Sequence, residues 1–186
     1  MHRLVGQDNS KYNGLGYGAL SQRTVSYDAP VNKRQFITTG TQSGILDVLD
    51  SRHYTTVLEY IPEENLIIAA GPIKPSSESM TLGSVYNMDS SIKAVFHAHS
   101  PDIWNNAERL GIPMTNADIE YGTPEMAEDV KRLFRETDVK KLGIFVTGGH
   151  QDGVFTFGRT VEEAGFIMLN YLALALKITY AAPQLS

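Results

Sequence analysis

The 186-residue chain contains no cysteine. Disulfides, thiolate nucleophiles and thiolate metal sites are excluded, and with them any argument for an oxidising compartment. Clustered positive charge is also missing. Sixteen Lys and Arg are outweighed by twenty-one Asp and Glu, a formal net charge of −5. The basic residues are scattered, with only short pairs such as Lys140-Lys141, so no nucleic-acid partner is expected. The opening stretch MHRLVGQDNSKYNGLG has no apolar core and reads as no signal peptide. The longest apolar stretch, AGFIMLNYLALALKITYAA, carries Asn170, Tyr171, Lys177 and Tyr180. It reads as a buried C-terminal helix rather than a membrane span. The expectation is a cytoplasmic protein without a membrane partner. Apolar residues at 42% and charged residues at 20% are those of an ordinary globular protein, and the length suits one domain over residues 1–186.

Residues 8–18, DNSKYNGLGYG, read as irregular coil. ALSQRTVSY and RQFITTG read as strands, and SGILDVL as a short helix capped by Ser43. YTTVLEYIP and NLIIAAG flank EEN and suggest a hairpin. PSSESMTLGSVYNM reads as a helix with Ser76 as N-cap and Met80, Val85 and Met88 on one face. IKAVFHAH is strand-like, and DIWNNAERLG a short helix closed by Gly111. TPEMAEDVKRLFRE is the clearest helix: Thr123 as N-cap, Pro124 at N1, and an apolar stripe of Met126, Val130, Leu133 and Phe134. LGIFVTGG and GVFTFG are strands around a turn that contains His150. A final long helix is capped by Thr160. Helices alternate with hairpin-joined strands, which points to a mixed or antiparallel sheet covered by helices.

Two of the five histidines stand in AVFHAHS. On a strand, residues i and i+2 share a face, so His97 and His99 present two imidazoles side by side. Imidazole suits zinc and other late first-row divalent metals. His150, in the Gly-rich VTGGHQDGV, is a candidate third ligand. Three protein ligands with one open position make a catalytic rather than a structural zinc site. A His-x-His pair alone also fits a helix cap beside a solvent-facing ring. Glu78 is a candidate general acid–base beside such a metal, although a Glu in a first helical turn is equally explained by the macrodipole. TTGT (38–41) and PSSES (75–79) offer hydroxyls and backbone N–H groups of the kind that hold phosphate, or are simply turns.

Five segments in this order resemble the class II aldolase/adducin family over about residues 14–176. GALSQR resembles its Gly-Asn-[Ile/Val]-Ser-x-Arg, FITTGTQSG its Thr-x-[Ser/Thr]-Gly loop, and PSSESM its Ser-Ser-Glu element. AVFHAHS resembles its Val-[Val/Ile]-His-x-His-Ser strand, and GVFTFGRTVEEA its Gly-Val-x-x-x-Gly-x-x-x-Glu-Glu-Ala ending. The resemblance implies an α/β fold: a three-layer αβα sandwich on a central mixed, mainly antiparallel sheet. It implies a divalent metal, zinc, on His97 and His99, with the third ligand near His150. It makes Glu78 the acid–base, and Thr39, Gly40, Ser76 and Ser77 the substrate- or phosphate-binding positions. NADIEYGTPE resembles the epimerase segment Thr-His-Ala-Asp-x-x-Tyr-Gly-Thr, which adds Asp118 and Tyr121 as further catalytic candidates. It also implies a homotetramer. Three departures stand out. HQDG replaces the family's His-Gly, which leaves His150 or Asp152 to complete the metal site. Ala19 replaces a phosphate-loop Asn, and Leu82 a His found four residues after the Glu.

The expected activity is that of a metal-dependent aldolase-type lyase acting on a small hydroxy-carbonyl compound through a metal-stabilised enediolate, with Glu78 moving the proton. An epimerase, dehydratase or decarboxylase on the same site is the first alternative. A non-catalytic adducin-like interaction module is the second.

Overall fold

The computed structural model describes residues 4–181. Two short strands, β1 (Gly6–Gln7) and β2 (Gly16–Tyr17), fold the N-terminal segment back on itself. Then β3 (Ala19–Arg23), β4 (Phe36–Thr39), β5 (Tyr54–Ile61), β6 (Leu66–Ala70), β7 (Ala94–His99), β8 (Ile144–Val146) and β9 (Gly153–Gly158) build a seven-stranded sheet. Their order is β6-β5-β4-β3-β7-β9-β8. Every neighbouring pair is antiparallel. The parallel component is one isolated bridge, Met114 to Val146.

The period of two along β7, β8 and β9 sorts the core into two clusters, one on each face. Val95, Phe145, Phe155 and Phe157 point to one side and Ala98, Ile144, Val146 and Val154 to the other. Helices α1 (Ser79–Tyr86) and α3 (Pro124–Glu136) supply Met80, Leu82, Val85, Val130 and Leu133 to the first side. Helices α2 (Pro101–Asn105) and α5 (Val161–Thr179) supply Ile103, Met168 and Ala175 to the second. A short α4 (Val139–Leu142) leads into β8. The result is the expected three-layer αβα sandwich, built on antiparallel strands.

Local chemistry explains most element ends. The hydroxyls of Thr123 and Thr160 accept from the amides of Met126 and Glu163, as N-caps do. Pro62–Glu64 turns the β5–β6 hairpin, closed by Asn65 in the left-handed region at φ 50°. Four expectations need correction. The cap of α1 is Glu78, not Ser76. Ser76 sits two residues earlier, where its hydroxyl accepts from the Glu78 amide and its carbonyl accepts from the Ser79 amide. All eight α1 residues are buried, because the helix lies between the sheet and α3, so no single apolar face exists to be read. Ser43 opens a three-residue 3-10 turn, and its hydroxyl donates to the Gly40 carbonyl instead of capping. The fourth concerns α5, which is buried along one side only. Ala164, Met168 and Ala175 face the sheet, whereas Phe166 is 70% and Leu169 59% exposed. No helix among the described residues is long and apolar enough to cross a membrane.

Candidate metal centre

β7 lies inside the sheet, hydrogen-bonded on both sides. His97 stands opposite Ala19 of β3 and Phe155 of β9, and His99 opposite Gly153. The pleat sends both imidazoles to the α1 side at the strand's C-terminal end, and both are buried, at 2% and 3% exposure. His150 arrives from the turn between β8 and β9. That turn is pinned by the Gly153 amide and the Thr147 hydroxyl, which both donate to the His150 carbonyl, at 3.0 and 2.9 Å. Gly148 and Gly149 are required there. A Cβ on either would run into the backbone carbonyl of Thr115 or Ile119, on the loop that carries Tyr121.

The three rings come together. Centroids lie 5.0 Å apart for His97 and His99, 4.7 Å for His99 and His150, and 5.5 Å for His97 and His150. One ring nitrogen from each falls within 4.8 Å of the others. The Nδ1 atoms of all three are buried without a hydrogen-bond partner. A buried polar atom left unpaired costs stability unless a ligand uses its lone pair, so this donor set fits a divalent cation. Burial, and then the neighbouring His99 and His150, hold the His97 imidazole well below its usual range. Burial, then His150, lower His99 to about 3. Both rings are therefore neutral near pH 7, the state that offers a lone pair to a metal.

Glu78, at the start of α1, points into the same cluster and is itself buried. Its Oε1 lies 3.2 Å from His150 Nδ1 and 4.0 Å from His97 Nε2. The close approach to His150 is too misaligned to be a hydrogen bond, and Oε1 has no partner. Oε2 accepts from the Thr81 hydroxyl at 3.3 Å. The carboxylate is thus anchored through one oxygen and free at the other.

A cavity of about 230 Å³ opens over these groups. Gly40, Ser76, Ser77 and Tyr121 line it with Glu78 and the three histidines. The Tyr121 ring stacks on His150 at 4.4 Å. Two sequence candidates lie elsewhere. The Thr39 hydroxyl is buried in the sheet, where it accepts from the Leu20 amide. Asp118 sits exposed on a turn and does not line the cavity of its own chain. Of the two alternatives in HQDG, His150 joins the pair and Asp152 does not. The Asp152 Oδ2 instead accepts from the Tyr12 hydroxyl at 2.7 Å.

Tyr12 and Tyr17 were not legible as site residues, because they fall in the stretch read as coil. Both rings pack on His99, with centroids at 4.3 and 5.2 Å. Burial and then the Asp152 hydrogen bond push the Tyr12 phenol up, so it stays protonated as the donor. The available signal was two aromatic residues inside a polar, Gly-rich run.

Residues 8–179 match the Class II Aldolase and Adducin N-terminal domain family. Among solved structures, the fold is similar to that of YgbL from Escherichia coli, a candidate aldolase, epimerase or decarboxylase. That likeness has a TM-score of 0.65 at 18% identity, over 90% of this chain and 80% of the other. L-fuculose-1-phosphate aldolase from Thermus thermophilus gives 0.61 at 21% identity, over 90% and 87%. A sugar-phosphate aldolase from Thermotoga maritima gives 0.61 at 16%, over 90% and 87%. At these identities the likeness is one of fold.

Proposed function

The chain belongs to the class II aldolase and adducin family, and we propose that it is a divalent-metal-dependent lyase. On this reading it makes or breaks a carbon–carbon bond in a small hydroxy-carbonyl, sugar-like compound. The observation that carries the reading is the set of three imidazoles gathered beside a buried carboxylate whose Oε1 is free. His97, His99 and His150 would hold the cation, and zinc suits three imidazole donors with one position left for substrate. A cation bound there supplies Lewis acidity toward adjacent substrate oxygens and so stabilises the negative charge that develops as a bond alpha to the carbonyl breaks.

Glu78 moves the proton. Its Oε2 is occupied by Thr81, so Oε1, turned toward the histidines, is the atom that gives and takes it. Tyr121, from the same cavity, serves the far end of the substrate. Asp118, outside the cavity of its own chain, is left for a neighbouring copy. Ser76 and Ser77 hold substrate hydroxyls, whereas Gly40 lines the cavity with its amide and carbonyl already engaged by His53 and Ser43. No Lys or Arg lines the cavity among the described residues. The amides of Gly40 and Thr41 are already donated to the His53 and Lys74 carbonyls. These observations favour a substrate without a phosphate group. On the resemblance, the protein is a cytoplasmic homotetramer, and analytical ultracentrifugation reads the assembly.

Metal analysis of protein purified without chelators, with retro-aldol turnover on a panel of phosphorylated and unphosphorylated hydroxy-carbonyl compounds, tests the proposal. We expect bound zinc, cleavage of unphosphorylated members, and a Glu78→Gln variant that keeps its metal and loses about 10²–10⁴ in rate. A chain that takes up no divalent metal sinks it. Epimerised, dehydrated or decarboxylated products from the same panel would reassign the reaction. Metal retained in His97→Ala would favour the non-catalytic module.

A further inference from the structure

We infer that Tyr12, latched by Asp152, closes the site behind His99 and limits the length of substrate it accepts. The inference rests on the functional reading above. Tyr12 and Tyr17 border two cavities at once. One is the cavity over the histidines, and the other, of about 450 Å³, is bounded by Lys11, Ser100 and Pro101. His99 borders both. The two phenol rings therefore stand as the wall between them, and the His99 imidazole lies directly against that wall.

The wall is packed and held. The Tyr12 ring meets His99 edge-on at 4.3 Å and Tyr17 at 5.0 Å. At such separations the rings are in contact and leave no room for water between them. The Tyr12 hydroxyl donates to Asp152 Oδ2 at 2.7 Å, across 140 residues of sequence. The backbone is bent to make this reach. Tyr12 and Asn13 both lie in the left-handed region, at φ 49° and 56°, and so does Asp152, at φ 63°. A bulky Tyr rarely takes that conformation, and it persists only where surrounding contacts over-determine it. The latch also accounts for Asp152. A carboxylate two residues after His150 is well placed to be a ligand, yet it is turned toward the phenol. Tyr12 sets the size of the site, and Asp152 is a positioning residue that acts through it.

The test uses the full chain loaded with Co²⁺ and challenged with excess EDTA, with release followed by the cobalt d–d absorbance. A second readout is kcat/KM along a series of hydroxy-carbonyl compounds of increasing length. Tyr12→Ala joins the two cavities. It should release Co²⁺ about tenfold or more faster, the scale seen when a group supporting a metal ligand is removed. It should also shift the preference toward longer substrates. Tyr12→Phe removes the donor, and Asp152→Gly removes the acceptor at a left-handed position that glycine tolerates, so each breaks the latch while keeping the ring. Each should speed release about tenfold, as for one lost charge-assisted hydrogen bond. The double variant should be no faster than either single one, and each latch variant should move the length preference part of the way toward that of Tyr12→Ala. Wild-type release or an unchanged length preference in Tyr12→Ala overturns the inference. If Tyr12→Ala does not fold, additive effects of the two latch variants overturn it instead. A wild-type chain that takes up no Co²⁺ overturns the functional reading and this inference together.

Discussion

Gly149→Ala adds a single methyl group, and its consequences can be worked from the backbone around it. The new Cβ would run into the Ile119 carbonyl and press on the Ala117 carbonyl. Both are main-chain atoms, so no side chain can rotate away. Either the 115–121 loop or the turn carrying His150 must move. Overpacking of this kind costs about 1–3 kcal/mol, less the fraction of a kcal/mol that alanine gains over glycine by restricting the unfolded chain. For a chain of this size, a net loss of about 1–2 kcal/mol lowers Tm by about 2–8 °C. Moving the His150 turn also shifts the imidazole relative to His97 and His99, which should weaken metal binding about 10–100-fold, as loss of ligand orientation does. Gly111→Ala is the control. Gly111 is left-handed at φ +66°, but nothing lies within 4 Å of an added Cβ. It should cost about 1–2 kcal/mol in backbone strain and leave metal affinity alone. Thermal melts and competitive metal titration measure both variants. If Gly149→Ala kept wild-type Tm and metal affinity, the packing of the two loops would not be what seats His150.

Three other outcomes are expected. Stripping the metal with chelator should lower Tm by about 5–10 °C relative to protein in zinc at about a hundred times its Kd, since such binding adds about 2.7 kcal/mol; an unchanged melt would mean no metal binds the native state. Thr160→Ala removes the hydroxyl that accepts from the Glu163 amide and should cost about 1 kcal/mol in urea unfolding, with no effect on metal affinity. Asp89 is held down to about 2 by the Lys140 ammonium and then by Ser91, while its unfolded value is 3.8. A lowered carboxylate stabilises the fold above the unfolded value and loses that contribution as pH falls from about 4 through 2. Asp89→Asn should therefore cost about 1 kcal/mol at pH 7, after allowance for solvent screening, and nearly nothing below pH 2. A penalty that does not vary with pH would refute the assignment.

The site was legible where its residues follow one another along the chain. His97 and His99 are two apart on a strand, and the period of two alone makes them neighbours. The helix caps at Thr123 and Thr160 are also local and were readable for the same reason. Glu78 and His150 stood out as candidates by residue type and by the Gly-rich turn, but equally bland readings were set aside only beside a known order of motifs, because no local rule joins residues nineteen and more than fifty positions from the pair. Tyr12 was beyond reach. Its place depends on a left-handed backbone and a partner 140 residues away, and coil sequence carries no pattern for either. The burial of α1 failed for a related cause. A helix covered on both sides has no polar face, so its periodicity vanishes. The outer face of α5 failed the opposite way: its apolar residues were read as buried, and hydrophobicity does not say which side the sheet occupies.

The register of β7 has a bearing on how the protein matures. His97 and His99 reach the α1 side only while β7 is correctly aligned with both β3 and β9. A slip of one residue would turn both rings to the α5 side, away from Glu78 and His150. The partners that set this alignment begin at residue 19 and end at residue 158, so nearly the whole chain must be in place before the donors meet. Metal uptake during refolding would then be one of the last events, trailing the recovery of secondary structure, and captured metal would count only correctly paired sheets.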